Sequence, residues 1–186
     1  MPNIAVGDTL PPGIFSLPYF PTALTPSPAV FGYIPWAPEL DDNLACGVPS
    51  KLNTDSWAGK KVVLISVPGA FTPTCHVNHL PPYLERYQEL KAKGVDIIAV
   101  LAANDLFVMS GWARSQSFKD KILALSDANA KWSQSLGLSL DLTEKDLGIR
   151  TARYAMIIDD LKVKYVEQEP GAGVTVSGVD AILAKL

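Results

Sequence analysis

Pro68-Gly69-Ala70-Phe71-Thr72-Pro73-Thr74-Cys75 is the stretch on which the rest of the chain is organised. The apolar residues Val62, Val63, Leu64, Ile65 and Val67 lead into it. A run that is nearly all apolar, rather than alternating, predicts a strand over 61–67 buried on both faces of a central sheet. A helix is predicted on the far side. Thr72 suits its N-cap and Pro73 its first residue, where a missing N–H costs nothing. Val77, Leu80, Leu84, Tyr87 and Leu90 then recur at helical spacing. Pro81-Pro82 interrupts that stripe and predicts a kink or a split, and Gly94 predicts the stop. Strand, tight turn and helix together place Cys75 on the helix's first turn.

Downstream, residues 95–101 read as a second buried strand. Asn104 is the predicted cap of a helix through Phe107, Val108 and Trp112 to about Gln116. A short strand is predicted over 122–125 and a short helix over 129–136, stopped by Gly137, with a loop over 138–148. Residues 153–158 and 162–166 read as antiparallel strands around Asp159-Asp160-Leu161. Ser177-Gly178-Val179-Asp180 resembles a capping box opening a last helix on Val179, Ile182, Leu183 and Leu186. Helices alternating with buried strands, closed by a hairpin, define an α/β layer fold with a mixed central sheet flanked by helices.

Residues 1–50 differ in composition from the rest of the chain. Most of the chain's 15 prolines lie there, which excludes a long helix. Phe15, Tyr19, Phe20, Phe31, Tyr33 and Trp36 give this region enough aromatic surface to pack on a core. The expected organisation is a Pro-rich N-terminal extension over 1–50, packed on one domain over 51–186. Within it a short strand or hairpin is predicted near 30–34 and a mobile loop over 16–28. Cys46, beside Gly47 and Pro49, falls in a turn near the surface.

The totals narrow the function classes. A formal net charge of -3 gives no reason to expect nucleic-acid binding or attraction to acidic membranes. No apolar run approaches the roughly 18 residues a membrane span requires. The start of the chain lacks the basic and apolar blocks of a signal peptide, and two cysteines are too few for a secreted disulfide scaffold. An intracellular protein is expected, with cysteines that react rather than staple.

At a helix start, unpaired N–H groups and the positive end of the dipole favour a thiolate, the reactive form of cysteine. A buried structural thiol is the competing reading of Cys75. Thioredoxins place a Cys-x-x-Cys pair at such a site, but here the first position is Thr72. Dithiol exchange through that pair is excluded, whereas the Thr72 hydroxyl lies one helical turn from the thiol. His79, four residues after Cys75, shares its helix face and reads either as an orienting group or as a structural histidine. His76 reads as a surface residue. A metal site from His76, His79 and Cys75 is not expected, since no further ligand cluster accompanies them.

Pro68-x3-Thr72-x2-Cys75 resembles the active-site motif of peroxiredoxins. The longer run through His79-Leu80-Pro81, with Gly148-Ile149-Arg150-Thr151-Ala152-Arg153-Tyr154-Ala155-Met156 further on, is similar to the type-II, peroxiredoxin-5-like subgroup. The resemblance runs from about Asp55 to the C-terminus. It implies a thioredoxin-like fold and a peroxidase working without metal, haem or other cofactor. Cys75 would be the peroxidatic thiolate, oxidised to sulfenic acid by a hydroperoxide. Thr72 would hydrogen-bond the peroxide oxygens. Arg153 would hold the thiolate and stabilise charge on the breaking O–O bond, and Pro68 would shield the sulfur from water. Arg150 is a weaker candidate for the arginine and reads equally as a solvated surface charge.

Two routes back to the thiolate stay open. Cys46 resolves Cys75, within a chain or across a dimer, or an external thiol does so: glutathione, glutaredoxin or thioredoxin. The resemblance also implies a homodimer. Ala184-Lys185-Leu186 is one small residue away from the Ser-Lys-Leu peroxisomal address, which would involve a peroxisomal import receptor; the alternative is a cytoplasmic protein. The competing reading of the whole chain is a non-catalytic thioredoxin-fold binding module or thiol chaperone. It leaves the joint presence of Pro68, Thr72, Cys75 and Arg153 without a use.

Overall fold

In the computed structural model, residues 4–10, 29–41 and 44–186 are described. The expected mobile loop over 16–28 lies outside them. The first strands, β1 (Val30–Tyr33) and β2 (Ser50–Asn53), form an antiparallel pair at one edge of a seven-stranded sheet. The apolar run becomes β3 (Lys61–Ser66), and β4 (Ile97–Ala102) and β5 (Leu123–Ser126) lie parallel to it in turn. On its other side β3 pairs antiparallel with β8 (Tyr154–Asp159), which pairs with β9 (Lys162–Gln168). The order is β2-β1-β5-β4-β3-β8-β9.

The reading of β3 as a doubly covered strand is borne out. Val62, Val63, Leu64 and Ile65 are all fully buried, but on opposite faces. Val63 and Ile65 point into one core with Leu80, Tyr83, Leu90, Met109, Trp112 and Ile182, and Cys75 belongs to this core. Val62 and Leu64 point into a second with Phe31, Trp57, Trp132, Tyr154 and Met156. Each such side chain contributes about 1.5–3 kcal/mol by leaving water. The centre of the sheet is thereby a rigid platform for the loop after β3.

Helices cover both faces. The diproline does divide the predicted helix. A π turn over Thr74–His79 gives way to α1 (Pro81–Glu85) and then α2 (Tyr87–Ala92), ended by Gly94 at φ +81°. The prolines supply no N–H to the preceding turn, so the chain re-starts at α1 with proline in its first positions. Val77, placed in the apolar stripe by its spacing, is exposed instead. The wider π turn rotates it off the buried face.

Three other local readings change. In α3 (Leu106–Ser115) the cap is Asp105, whose carboxylate accepts from the N–H groups of Phe107 and Val108. Asn104 is used elsewhere. The expected loop over 138–148 is a two-stranded hairpin, β6 (Ser139–Leu142) with β7 (Gly148–Thr151). After α4 (Lys131–Ser135), the final helix α5 (Val179–Leu183) starts at Gly178 without a side-chain cap. The Ser177 hydroxyl, expected to cap it, donates to Glu169.

Candidate active site

The loop that leaves β3 is braced before it turns. Ser66 Oγ donates to the Ala152 carbonyl (2.8 Å) and Thr151 Oγ1 to the Val67 carbonyl (2.7 Å). Both bonds tie the end of β3 to the residues just before β8. Asn104 Oδ1 accepts from the Ala70 N–H (3.0 Å) and from Arg150 Nη1 (3.3 Å). Arg150 also donates through Nε to the Leu147 carbonyl (2.7 Å). It is therefore a brace of the loop 68–70 rather than a freely solvated charge. A side chain at Gly69 would press on the Thr72 methyl at 3.0 Å and lie 3.4 Å from Arg150 Nη1, which restricts this position to glycine or a shifted neighbour.

Phe71 then adopts φ +60°, a left-handed conformation that an aromatic residue seldom takes and that only a constrained loop sustains. It reverses the chain into the π turn. Its ring is half exposed and stacks on His76 with centroids 5.8 Å apart. The Thr72 carbonyl accepts from His76 N–H (2.8 Å), so Thr72 does stand at the head of the turn. Its hydroxyl, however, donates back to the Gly69 carbonyl (2.8 Å). With its proton committed, this oxygen faces any incoming group as an acceptor.

Cys75 is fully buried. Arg153, itself only 8% exposed, donates through Nη1 to Cys75 Sγ at 3.3 Å. The sheet register makes this meeting possible. Ser66 at the end of β3 stands opposite Tyr154 at the start of β8, so Arg153 lies one residue beyond, beside the loop that carries Cys75. A cleft of about 300 Å³ opens beside Arg153, lined also by Pro68, Leu140, Gln168, Glu169 and residues 170–172. A guanidinium in a mostly apolar, buried setting is a strong stabiliser of negative charge, because little water competes for it.

The same Arg153 Nη1 also lies 3.1 Å from His79 Nδ1. Because the guanidinium can only donate, His79 Nδ1 accepts, and the neutral ring carries its proton on Nε2. Nε2 donates to the Ser177 carbonyl (2.8 Å), which also accepts from Tyr83 Oη (2.6 Å). Burial is the main cause that drives the His79 pKa down to about 4, and the Arg153 charge adds to it; the Ser177 carbonyl and Glu169 oppose the shift. His79 is thus buried and hydrogen-bonded through both ring nitrogens, an arrangement that suits an orienting group and a structural histidine alike. His76 is not a surface residue either. Trp112 Nε1 donates to its Nδ1 (2.9 Å), and its Nε2 lies 2.9 Å from the Gln116 side-chain amide. The π turn is pinned to α3 on one side and to Arg153 on the other.

Of the residues singled out from sequence, Pro68, Thr72, Cys75, His79 and Arg153 come together. Cys46 does not join them. It is exposed, in a segment held to α3 by Arg114 Nη1, which donates to the Ala45 carbonyl (2.9 Å). Asn104, Ser177 and Glu169 were not foreseen as part of this network.

The Redoxin family model matches residues 6–183. A putative peroxiredoxin of Malassezia furfur is 49% identical over 144 residues, which cover 77% of this chain and 87% of that one. A putative peroxisomal peroxiredoxin of Lipomyces kononenkoae is 47% identical, covering 87% of this chain and 97% of its own. Among solved structures, reduced Prx3 of Vibrio vulnificus in complex with H2O2 superposes with a TM-score of 0.78 at 37% identity, covering 97% of this chain and 98% of that one. The chain belongs to the Redoxin family, on the thioredoxin-like fold. More narrowly it is a peroxiredoxin, a thiol-dependent peroxidase.

Proposed function

We propose that Cys75 is the peroxidatic thiolate and that Thr72, Arg153 and Pro68 form its peroxide site. The observation that carries this is the 3.3 Å contact from the buried Arg153 guanidinium to Cys75 Sγ. The Cys75 thiolate attacks the terminal oxygen of the hydroperoxide. An S–O bond forms as the O–O bond breaks, and the sulfur is oxidised by two electrons to sulfenic acid. The peroxide proton stays on the sulfenic oxygen, and the departing alkoxide or hydroxide takes one from solvent. Before attack, the Thr72 oxygen accepts from the peroxide O–H, because its own proton is held by Gly69. Arg153 stabilises the thiolate and then the charge that gathers on the leaving oxygen. Pro68, lining the cleft, limits water at the sulfur.

Cys75→Ser is expected to abolish thiol-dependent consumption of hydrogen peroxide and of organic hydroperoxides. Rates equal to wild type would remove Cys75 from the chemistry and return the non-catalytic binding module or thiol chaperone to consideration.

The sulfenic acid is reduced by Cys46 or by an external thiol, glutathione, glutaredoxin or thioredoxin. In the first route the Cys46 thiol condenses with the sulfenic acid, releasing water and leaving a disulfide. The exposure of Cys46 supports it as an accessible thiol, while the burial of Cys75 means that the π turn must open before the two sulfurs meet. In Cys46→Ser, a peroxide-induced, Cys75-dependent disulfide on a non-reducing gel is expected to disappear. Undiminished turnover with thioredoxin in that variant assigns the second route.

A homodimer is the proposed assembly, on the strength of the type-II resemblance. The Ala184-Lys185-Leu186 terminus and the peroxisomal name of the Lipomyces kononenkoae relative support a peroxisomal location, with an import receptor as partner; a cytoplasmic location is the alternative.

A further inference from the structure

We propose that Glu169 is a positioning residue for Arg153, acting through Ser177 and His79. The inference rests on the peroxidase reading of Cys75 and extends its machinery beyond the residues that touch the sulfur.

Glu169 directly follows β9, beside Arg153, and its N–H donates to the Arg153 carbonyl (2.8 Å). Its carboxylate is buried and turned toward the segment 170–178. Oε1 accepts from Thr175 N–H, Ser177 N–H and Ser177 Oγ, each at 2.7 Å, and Oε2 accepts from Thr175 Oγ1 at 2.6 Å. Burial pushes this carboxyl up, but the four donors outweigh it and hold the group below its usual range.

This clamp has a purpose beyond closing a turn. The enclosed segment has little else to fix it: Pro170, Gly171, Ala172 and Gly173 are exposed, and a side chain added at either glycine would meet nothing within 4 Å. Tyr165 Oη adds a bond to the Val176 carbonyl (2.7 Å). Ser177 nevertheless has to present its carbonyl at 2.8 Å from His79 Nε2. That contact, with the Ser177 hydroxyl oxygen 3.2 Å from the same nitrogen, acts with Arg153 on Nδ1 to fix which ring nitrogen carries the proton. With the proton on Nε2, Nδ1 is an acceptor and draws Arg153 Nη1 toward it, which sets the same Nη1 on Cys75 Sγ. With the proton on Nδ1, the ring would oppose the guanidinium with a second donor. Carboxylate, segment, ring and guanidinium form one line of hydrogen bonds ending at the sulfur. Each link has a single directional sense, because both ends are fixed: Glu169 only accepts and Arg153 only donates.

The test compares wild type, Glu169→Ala and Glu169→Gln by the second-order rate constant with hydrogen peroxide and by the ¹⁵N spectrum of the His79 ring. Glutamine keeps an acceptor at the Oε1 position, where three of the four bonds end, and alanine keeps none. Glu169→Ala is expected to slow the reaction about tenfold and to shift the His79 ring away from the Nε2–H form. Glu169→Gln is expected to recover most of the rate and the Nε2–H signature. A Glu169→Ala protein with wild-type rate and an unchanged ring spectrum overturns the proposal, as does a rate loss that glutamine does not recover. Should Glu169→Ala fail to fold, Thr175→Val carries the test. It removes the Oε2 bond at an exposed residue, and an unchanged ring spectrum and rate there overturn the proposal equally. If wild type itself leaves hydrogen peroxide unconsumed, the peroxidase reading fails; if only the variants match an active wild type, this inference alone fails.

Discussion

Arg153→Gln is expected to slow the attack of Cys75 on hydrogen peroxide by about 10²–10³-fold, the range for losing one preorganised donor from a site where charge develops. The residue is 8% exposed and its Nη1 is the donor found on Cys75 Sγ. In the proposed mechanism it serves both ends of the reaction, first the thiolate and then the leaving oxygen. A neutral amide on a shorter side chain reaches neither as well. Arg153→Lys restores the charge but not the fork, so one ammonium cannot face the sulfur and His79 with fixed geometry. It is expected to fall between glutamine and wild type. The measurement is the pre-steady-state rate of Cys75 oxidation, with circular dichroism to verify that the sheet is intact. A glutamine variant within about threefold of wild type, well under the loss of a single such donor, would move the arginine's role elsewhere, and Arg150 would be the residue to examine. Arg150→Gln is not expected to imitate it, since its guanidinium ends on Asn104 and the Leu147 carbonyl.

How far the sequence foretold this site depends on the range of the forces involved. The platform was legible because it is set by local chemistry. A nearly all-apolar run must be covered on both faces, and a proline after a threonine opens a helix. Arg153 was reached through a resemblance, not through spacing, because nothing near Cys75 in the chain announces a partner from the far end of the sheet. Asn104 and Asp105 show the limit more closely. Either can cap a helix, and they are adjacent in the chain. Asp105 won because its backbone is extended at φ -63°, ψ 163° and its carboxylate reaches two N–H groups. That released Asn104 to hold Ala70 and Arg150, a tertiary use invisible from its neighbours.

Glu169 was hidden for a different reason. The hairpin around Asp159-Asp160-Leu161 was legible, and continuing its tight-turn register would set Gln168 opposite Arg153. The register shifts by one residue between Ile157 and Ile158. Tyr154 then pairs with Gln168, and the N–H of Glu169, not Gln168, meets the Arg153 carbonyl. A one-residue irregularity reassigns which side chain stands at the end of the strand. The hairpin β6–β7 was missed because its strands are only four residues each, and Asp141 within β6 with Glu144, Lys145 and Asp146 in the connection make the region look like solvent-facing loop.

The second large effect concerns acid. Stability is expected to fall by up to about 3 kcal/mol between pH 6.5 and pH 4 through His79 alone. The ring titrates near 6.5 in the unfolded chain and at about 4 in the folded one. Between these values the unfolded state binds the extra proton, so stability rises with pH across the window. The contribution is complete above 6.5 and lost as pH falls through the folded value. The groups that face the ring are Arg153 on Nδ1, the Ser177 carbonyl on Nε2, and Tyr83 and Glu169 around them. A proton on Nδ1 would meet the Arg153 guanidinium, which explains why the ring resists charge. Glu169, whose carboxyl is held down, loses its own contribution at lower pH, below the usual carboxylate range. Asp127 works in the opposite sense, since burial raises its carboxyl and the folded state then takes up its proton first. Urea midpoints at pH 4.5, 5.5 and 7 separate these. Wild type should lose stability steeply between 5.5 and 4.5, whereas His79→Asn, which has no ring to titrate but keeps an acceptor near the Nδ1 position, should have a much flatter profile there. Parallel profiles in the two proteins would mean that the acid sensitivity lies with the carboxylates and that His79 takes up its proton at the same pH folded and unfolded. In that case the one-way line from Glu169 to Arg153 would hold only above about pH 6.5, because below it a doubly protonated ring offers Arg153 nothing to donate to.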